Sequence, residues 1–528
     1  MSVLSIDAGT TGVTALIVRP DGTVTGRGYS EFRQYYPEPG WVEHLPEGIW
    51  QATLTACRQA LASAGAGPVT CVGITNQRET AVIWDRATLA TPRRAIVWQD
   101  RRTAQLCERL AGLGHGARIS EVTGLRLDPY FTATKLTWLS QNEPQVWAGV
   151  LDGSLAAGTV DSYLVARLTG GRRHVTDASN ASRTLLFDIE AGQWSAEMCE
   201  LFGVPPHALP EVVPSCGVAG HCDPAAFLGL SVPIAGIAGD QQAALFGQAC
   251  FAPRAAKCTY GTGSFVLANT GPVIVRSGAG LLSSVAWMDE SGKLTYALEG
   301  SVFVTGAAVQ WLRDGLGLLD SAAQTEALAG SVPDSAGVVF VPALTGLGAP
   351  DWDPDARGAI FGLTRGTTRA HLVRATLEAI AFEVRDVWEV IAADLDAADL
   401  GAGGGGPDAA DPDAAGPEAA GPGAAGPGSG GTPAALRVDG GASANDLLMQ
   451  LQADQLQVPV ERPAIAETTA MGAAFLAGLG TGVWSSAEEV AATWRLDRRF
   501  TPGPRDEAAH ARWREAVGRS RRWARPPG

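Results

Sequence analysis

A short segment near the N-terminus, Asp7-Ala8-Gly9-Thr10-Thr11-Gly12, brings together a carboxylate, two hydroxyls and two glycines. Gly9 and Gly12 let the backbone curl, Thr10 and Thr11 add hydroxyls to its amides, and the product is a hairpin able to hold an anion such as a phosphate. Asp7, at the end of the preceding apolar run, can hold hydrated Mg²⁺, which takes one or two carboxylates and fills its shell with water and ligand oxygens. Alone, the motif is also an ordinary hairpin turn. Four further segments accompany it: Asn76-Gln77-Arg78-Glu79, Ile96-Val97-Trp98-Gln99, Asp128-Pro129-Tyr130 and Gly239-Asp240-Gln241-Gln242. Arg78 donates, Glu79 accepts and the rings exclude water, a set suited to a small ligand with several hydroxyls and an apolar back. Read singly, Arg78-Glu79 is a surface ion pair and Trp98 a core residue; beside the turn they read as a binding site. Asp240 reads both as the N-cap of a helix over Gln241 to Gln248 and as a general base. The two roles are compatible, because a helix N-terminus favours the anion.

Such residues need a scaffold that presents them from several elements. Residues 2–6 and 13–18 read as strands around the Gly/Thr turn, and a third run follows from Thr23 to Ser30. The pattern returns near Lys257, where Cys258-Thr259-Tyr260-Gly261-Thr262-Gly263-Ser264 leads into the apolar run Phe265-Val266-Leu267-Ala268. This echo predicts two related α/β domains, each a mixed sheet flanked by helices, facing one another across a cleft, with a boundary near residue 250: residues 1–250 and 251–528. Helical spacing marks Glu47 to Ala64, Thr103 to Leu113, Ala370 to Leu395, Ser443 to Leu456 and Thr468 to Leu479; strands are expected at Val69 to Ile74, Ala81 to Trp84 and Leu436 to Val438. From 397 to 433 the chain is almost entirely Gly, Ala, Pro, Asp and Ser, too poor in apolar surface to offset the entropy of ordering it, and is expected to be a disordered insertion in the second domain.

Composition narrows the function. With 528 residues and 46% hydrophobic content the chain builds substantial cores. A formal charge of −15 argues against nonspecific nucleic-acid binding. No apolar run is long enough for membrane insertion, and Asp7 interrupts any signal-like stretch, so a cytoplasmic protein is expected. The eight cysteines form no Cys-x-x-Cys pair; Cys216, His221 and Cys222 read as a polar surface loop rather than a metal site. The phosphate-binding loops of P-loop enzymes and protein kinases are both missing.

These segments, with Gly40-Trp41-Val42-Glu43-His44, Asn180-Ala181-Ser182-Arg183-Thr184, the run Gly236 to Gln248, Gly346-Leu347-Gly348-Ala349-Pro350 and Arg437-Val438-Asp439-Gly440-Gly441, resemble the carbohydrate kinases, in the branch that phosphorylates glycerol, nearly end to end. The resemblance implies an actin-like (ribonuclease H-like) fold in both domains. It implies ATP and Mg²⁺, with glycerol held by Arg78, Glu79, Tyr130, Asp240 and Gln241 and packed by Trp98 and Phe265. It implies that Thr10, Thr11, Gly12 and Thr262 meet the phosphates while Gly306, Gln310, Gly441 and Asn445 surround the nucleoside; Asn445 reads equally as a helix-face residue. Asp240 would then be the base for in-line transfer, giving sn-glycerol 3-phosphate, and the assembly a homodimer or homotetramer. Two positions depart from that pattern: Ala8 stands where many such enzymes have Gln, and Thr14 where they have Arg. Both lose donors near the transferring phosphate. Kinase activity on another sugar or polyol, and a catalytically weak nucleotide switch, are the rival readings.

Overall fold

A computed structural model of the chain describes residues 1–65, 67–402 and 433–525. Two sheets organise it, and they share one plan. In the first, Val24–Glu31, Gly12–Val18 and Ser2–Ala8 form an antiparallel meander, Ser2–Ala8 continues in parallel to Val69–Asn76 and then to Pro233–Gly239, and Cys216–His221 closes the edge antiparallel. In the second, Leu294–Val302, Ser264–Gly271 and Ala256–Tyr260 form the meander, Leu436–Asp439 and Val460–Pro463 follow in parallel, and Leu496–Phe500 closes the edge. One extra strand, Leu282–Met288, widens the second sheet. The repeated Gly/Thr turn in the sequence thus marks the same hairpin in each lobe.

Central strands covered on both faces become nearly continuous in apolar or small residues. Ser2–Ala8 and Gly12–Val18 follow that rule, packing one face on the helix Pro46–Ser63 and the other on Thr468–Leu479. The latter helix comes from the second half of the sequence yet lies on the first sheet, with Ala470, Ala474 and Ala477 against Val3, Leu16 and Ala238. It also pins the short helix Asp240–Gly247. A Cβ on Gly472 would lie 1.8 Å from the Ala243 carbonyl oxygen, and one on Gly247 2.0 Å from that of Thr468, so only glycines let the two backbones touch.

Two expectations are corrected. The helix Arg369–Ala402 continues through residues 397–402, because its apolar face, including Val384, Val387, Ile391 and Leu395, lies on the second sheet and carries the coil past the start of the Gly/Pro/Ala tract. The remainder of the expected insertion, 403–432, lies outside the described residues. Cys216–His221 is an edge strand rather than a loop, and among the described residues no group of three or more His, Cys, Asp or Glu side chains suits a metal ion. No described helix is long and apolar enough to cross a membrane.

Replacing Gly472 by valine is expected to cost about 3 kcal/mol or more, the upper range for overpacking, since backbone rather than a flexible side chain is in the way. Urea unfolding checks this; an unchanged midpoint would mean the helix pair can separate freely.

Candidate active site

Open α/β sheets bind ligands beyond the carboxyl ends of their parallel strands. Here Ala8 and Asn76 end one pair of parallel strands and Gly239 pairs with Asn76 on the far side, so Asp7, one residue before the end, the Arg78-Glu79 turn and Asp240 lie along one edge. Gln77 ties the first Gly/Thr turn to this edge, its amide nitrogen donating to the Gly9 carbonyl at 3.0 Å. Glu79 has φ of +61°, a left-handed conformation unusual for a residue with a side chain, and its turn is closed by a Thr80 N–H to Arg78 carbonyl bond of 2.7 Å.

Two adjoining cavities open from that edge. The smaller, about 150 Å³, is lined by Thr10, Arg78, Glu79, Trp98, Tyr130, Asp240, Gln241, Thr262 and Phe265, all anticipated from sequence, with Thr259, Gly261 and Gly263. Trp98 meets Tyr130 and Phe265 edge to face and donates from its indole to Thr10 Oγ1 at 2.9 Å, joining the aromatic wall to the phosphate turn. The larger, about 490 Å³, includes Thr262, Gly306, Gln310, Gly441 and Asn445 among its walls. That is within the usual range for a ligand the size of a nucleotide. Gly306 donates its N–H to the Gly261 carbonyl, and a Cβ there would approach that oxygen to 2.6 Å. Gly441 opens on free space. Asn445 caps the helix Asp446–Leu456, accepting from the Leu448 N–H, and donates to Thr325.

Three predicted residues line neither cavity. Thr11 is exposed at the tip of its turn, Gly12 begins the next strand under Tyr29, and Asp7 lies behind the opening, near Asp240. Sequence reasoning gave no role to Glu299, Arg183, Gln242 or Lys257. Glu299, on the second sheet, takes two hydrogen bonds from Arg78, at 2.6 and 3.0 Å, and one from Arg183 at 3.1 Å. Arg183 also donates to Glu79 at 2.7 Å, and Arg78 gives a further N–H to Gln242. Arg78 therefore spends much of its capacity on protein groups. The available signal was a glutamate inside the otherwise uncharged strand Leu294–Val302.

Electrostatics separates the acids. Burial opposes the charge of Glu299, but Arg183 and Arg78 hold it down to about 2. Asp240 moves the other way: burial raises it, against the pull of Arg78, whose Nε lies 3.1 Å from Oδ1, and of the Gln241 N–H. This corrects two expectations. Asp240 is the first residue of its helix and Gly239 the cap, and the helix end does not outweigh desolvation. Burial and the nearby Asp240 push Asp7 up to about 7. No described residue donates a hydrogen bond to the Asp7 carboxylate, and Thr14, its direct partner across the hairpin, brings no charge.

Residues 2–247 match the N-terminal domain, and residues 256–481 the C-terminal domain, of the FGGY family of carbohydrate kinases. The chain is 54% identical over 526 residues to a protein named glycerol kinase from Aromatoleum aromaticum, and 49% identical over 526 residues to one named glycerol kinase 2 from Thermotoga maritima; each match covers 99% of both chains. A crystal structure of Plasmodium falciparum glycerol kinase with ADP superposes with a TM-score of 0.84 at 33% identity, covering 98% of each chain. A ligand-bound xylulose kinase from Lactobacillus acidophilus, 20% identical with a TM-score of 0.80, shares the fold.

The raised Asp7 yields a signed prediction for the metal-free protein. Its folded value of about 7 exceeds the ordinary 3.8, so its contribution to stability is complete below pH 4 and is lost as pH rises through 7. Asp7→Asn should therefore raise the melting temperature more at pH 8 than at pH 5. Equal shifts at the two pH values would show that Asp7 ionises normally.

Proposed function

This chain belongs to the FGGY family of carbohydrate kinases, and on that premise we propose that it is an ATP:glycerol phosphotransferase forming sn-glycerol 3-phosphate. The observation that carries the reading is the small cavity. Glu79 Oε2, Asp240 Oδ2, the Tyr130 hydroxyl and Gln241 Nε2 make no hydrogen bond to any described residue, and all four residues line it beside the rings of Trp98 and Phe265. A triol offers matching donors and acceptors on one side and a carbon chain on the other. Relatives named glycerol kinase at about half identity over the full length support the same substrate.

In this reading residues 1–250 hold the polyol and residues 251–528 the nucleotide, with Gly261 and Thr262 lining both cavities where the phosphates meet the acceptor. Thr10, Thr11 and Gly12 approach the phosphates from the first hairpin and Thr262 from the second, while Gly306, Gln310, Gly441 and Asn445 bound the nucleoside. Asp240 Oδ2 accepts the proton of the attacking hydroxyl as its oxygen meets the γ-phosphorus in line. A pKa raised by burial gives Asp240 proton affinity that a solvated aspartate lacks. Glu79 and Gln241 fix the remaining hydroxyls, and the rings keep water from the transferring group.

Mg²⁺ fits Asp7, an acid whose carboxylate accepts no hydrogen bond from any described residue, and Asp7 is the residue that would hold the ion. When bound, it supplies positive charge to the phosphate oxygens. The eight cysteines are free thiols, seven of them buried, which suits the reducing cytoplasm where this reading places the enzyme.

ATP-dependent ADP release across glycerol, dihydroxyacetone, xylulose, ribulose and gluconate tests the proposal; selective turnover of glycerol is expected, and silence on glycerol would refute it. Asp240→Asn should abolish turnover while leaving glycerol binding within about tenfold, since the amide keeps a hydrogen-bonding group but cannot take the proton. Full activity in that variant would remove Asp240 from the mechanism.

A further inference from the structure

We propose that Lys257 is a positioning residue for the acceptor substrate: it fixes the amide of Gln241 so that the NH₂ group, and not the carbonyl, faces the polyol cavity. The inference rests on the glycerol reading and adds to it the residue that sets the direction of one hydrogen bond.

Lys257 is completely buried on the strand Ala256–Tyr260 of the second sheet, whereas Gln241 belongs to the helix that follows the first. The Lys257 ammonium donates to Gln241 Oε1 in a short bond, to Thr259 Oγ1 at 2.9 Å and to the Phe265 carbonyl at 3.4 Å. An ammonium has three N–H groups and no lone pair, so these acceptors use its whole capacity and only the oxygen end of the glutamine can turn toward it. Burial weakens the hold of Lys257 on its proton, and the carboxylates Asp439 and Glu299 work against that loss.

With Oε1 committed, Nε2 is left on the cavity side without a partner among the described residues. This matters because two of the other free groups there, Glu79 and Asp240, are carboxylates that only accept when ionised, leaving the single O–H of Tyr130 as the other free donor. A hydroxyl that donates to one of them still has lone pairs to satisfy, and Gln241 Nε2 supplies the donor. A reversed amide would present a third carbonyl or carboxylate acceptor and leave the Tyr130 hydroxyl as the one free donor for a ligand with three hydroxyls. Since the lysine comes from the nucleotide side, the donor pattern of the substrate side depends on contact between the lobes.

The test is calorimetric binding of glycerol, 1,2-propanediol and 1,3-propanediol to the wild-type protein, Lys257→Met and Lys257→Arg, with ATP binding measured alongside. In Lys257→Met the amide is free to turn, and glycerol affinity should fall about tenfold, the scale of one hydrogen bond to a buried partner. That loss should largely vanish for the one propanediol lacking the hydroxyl that faces Gln241. Lys257→Arg, which keeps donors toward Oε1, should recover part of the affinity, and ATP affinity should hold throughout. Gln241→Glu keeps Lys257 in place but exchanges donor for acceptor, so it should reproduce the same ligand pattern even if the lysine variants fold poorly. Equal losses for all three ligands, or none, would overturn the inference while leaving the glycerol reading standing; wild-type protein that binds no glycerol would overturn both.

Discussion

The interaction on which the site depends is a buried, neutral quartet of charges. Arg78, Arg183 and Glu79 belong to the first half of the chain and Glu299 to the second, and none is more than 2% exposed. Removing such ions from water costs several kcal/mol each, and the loss is offset only when geometry is good and hydrogen bonds are complete. Glu299 meets that condition, bridging both arginines. Asp240 stands outside the quartet, held beside Arg78 at the cavity and also under the charge of Lys257. Its raised proton affinity follows from burial, which outweighs the pull of both cations, and the division of labour follows from the contacts: Arg78 shapes and polarises the site, while Glu79, Tyr130 and Gln241 keep free atoms for a ligand.

The matching sheets explain why the charges meet. Each lobe ends its central parallel strands toward the cleft and presents a Gly/Thr hairpin there, so two copies of one local design face each other. The helix Thr468–Leu479 crosses back to the first sheet and, through Gly472, sets the depth of the helix that starts with Asp240. The first hairpin, however, carries Ala8 next to Asp7 and Thr14 opposite it, and neither brings a charge. Asp7 is thereby left without a compensating cation from its own hairpin, which is why burial and Asp240 dominate its titration.

Much of this was legible in the sequence because it is local. Nearly continuous apolar runs around Gly9–Gly12 and Gly261–Gly263 mark the hairpins, and the residues of the polyol cavity stand in short, dense motifs. What was not legible is long-range or depends on solvation. Arg78 and Glu299 lie 221 positions apart, and nothing near Glu299 announces a partner in the other lobe. The Asp240 stretch shows a helix start, but whether Asp240 caps it or begins it is decided by the backbone of Gly239, and its proton affinity by burial that composition does not reveal. The tract after residue 396 looked unable to order, yet the apolar face of the preceding helix carries the coil to Ala402.

Arg78 and Glu299 act as one unit across the lobes. A double-mutant cycle on glycerol affinity, using Arg78→Gln, Glu299→Gln and the pair together, measures it most directly. Strong coupling is expected: each single change weakens binding, because either leaves an uncompensated buried charge, and the double change costs no more than the worse single one. Additive losses would contradict it and would mean that the two residues serve the site independently.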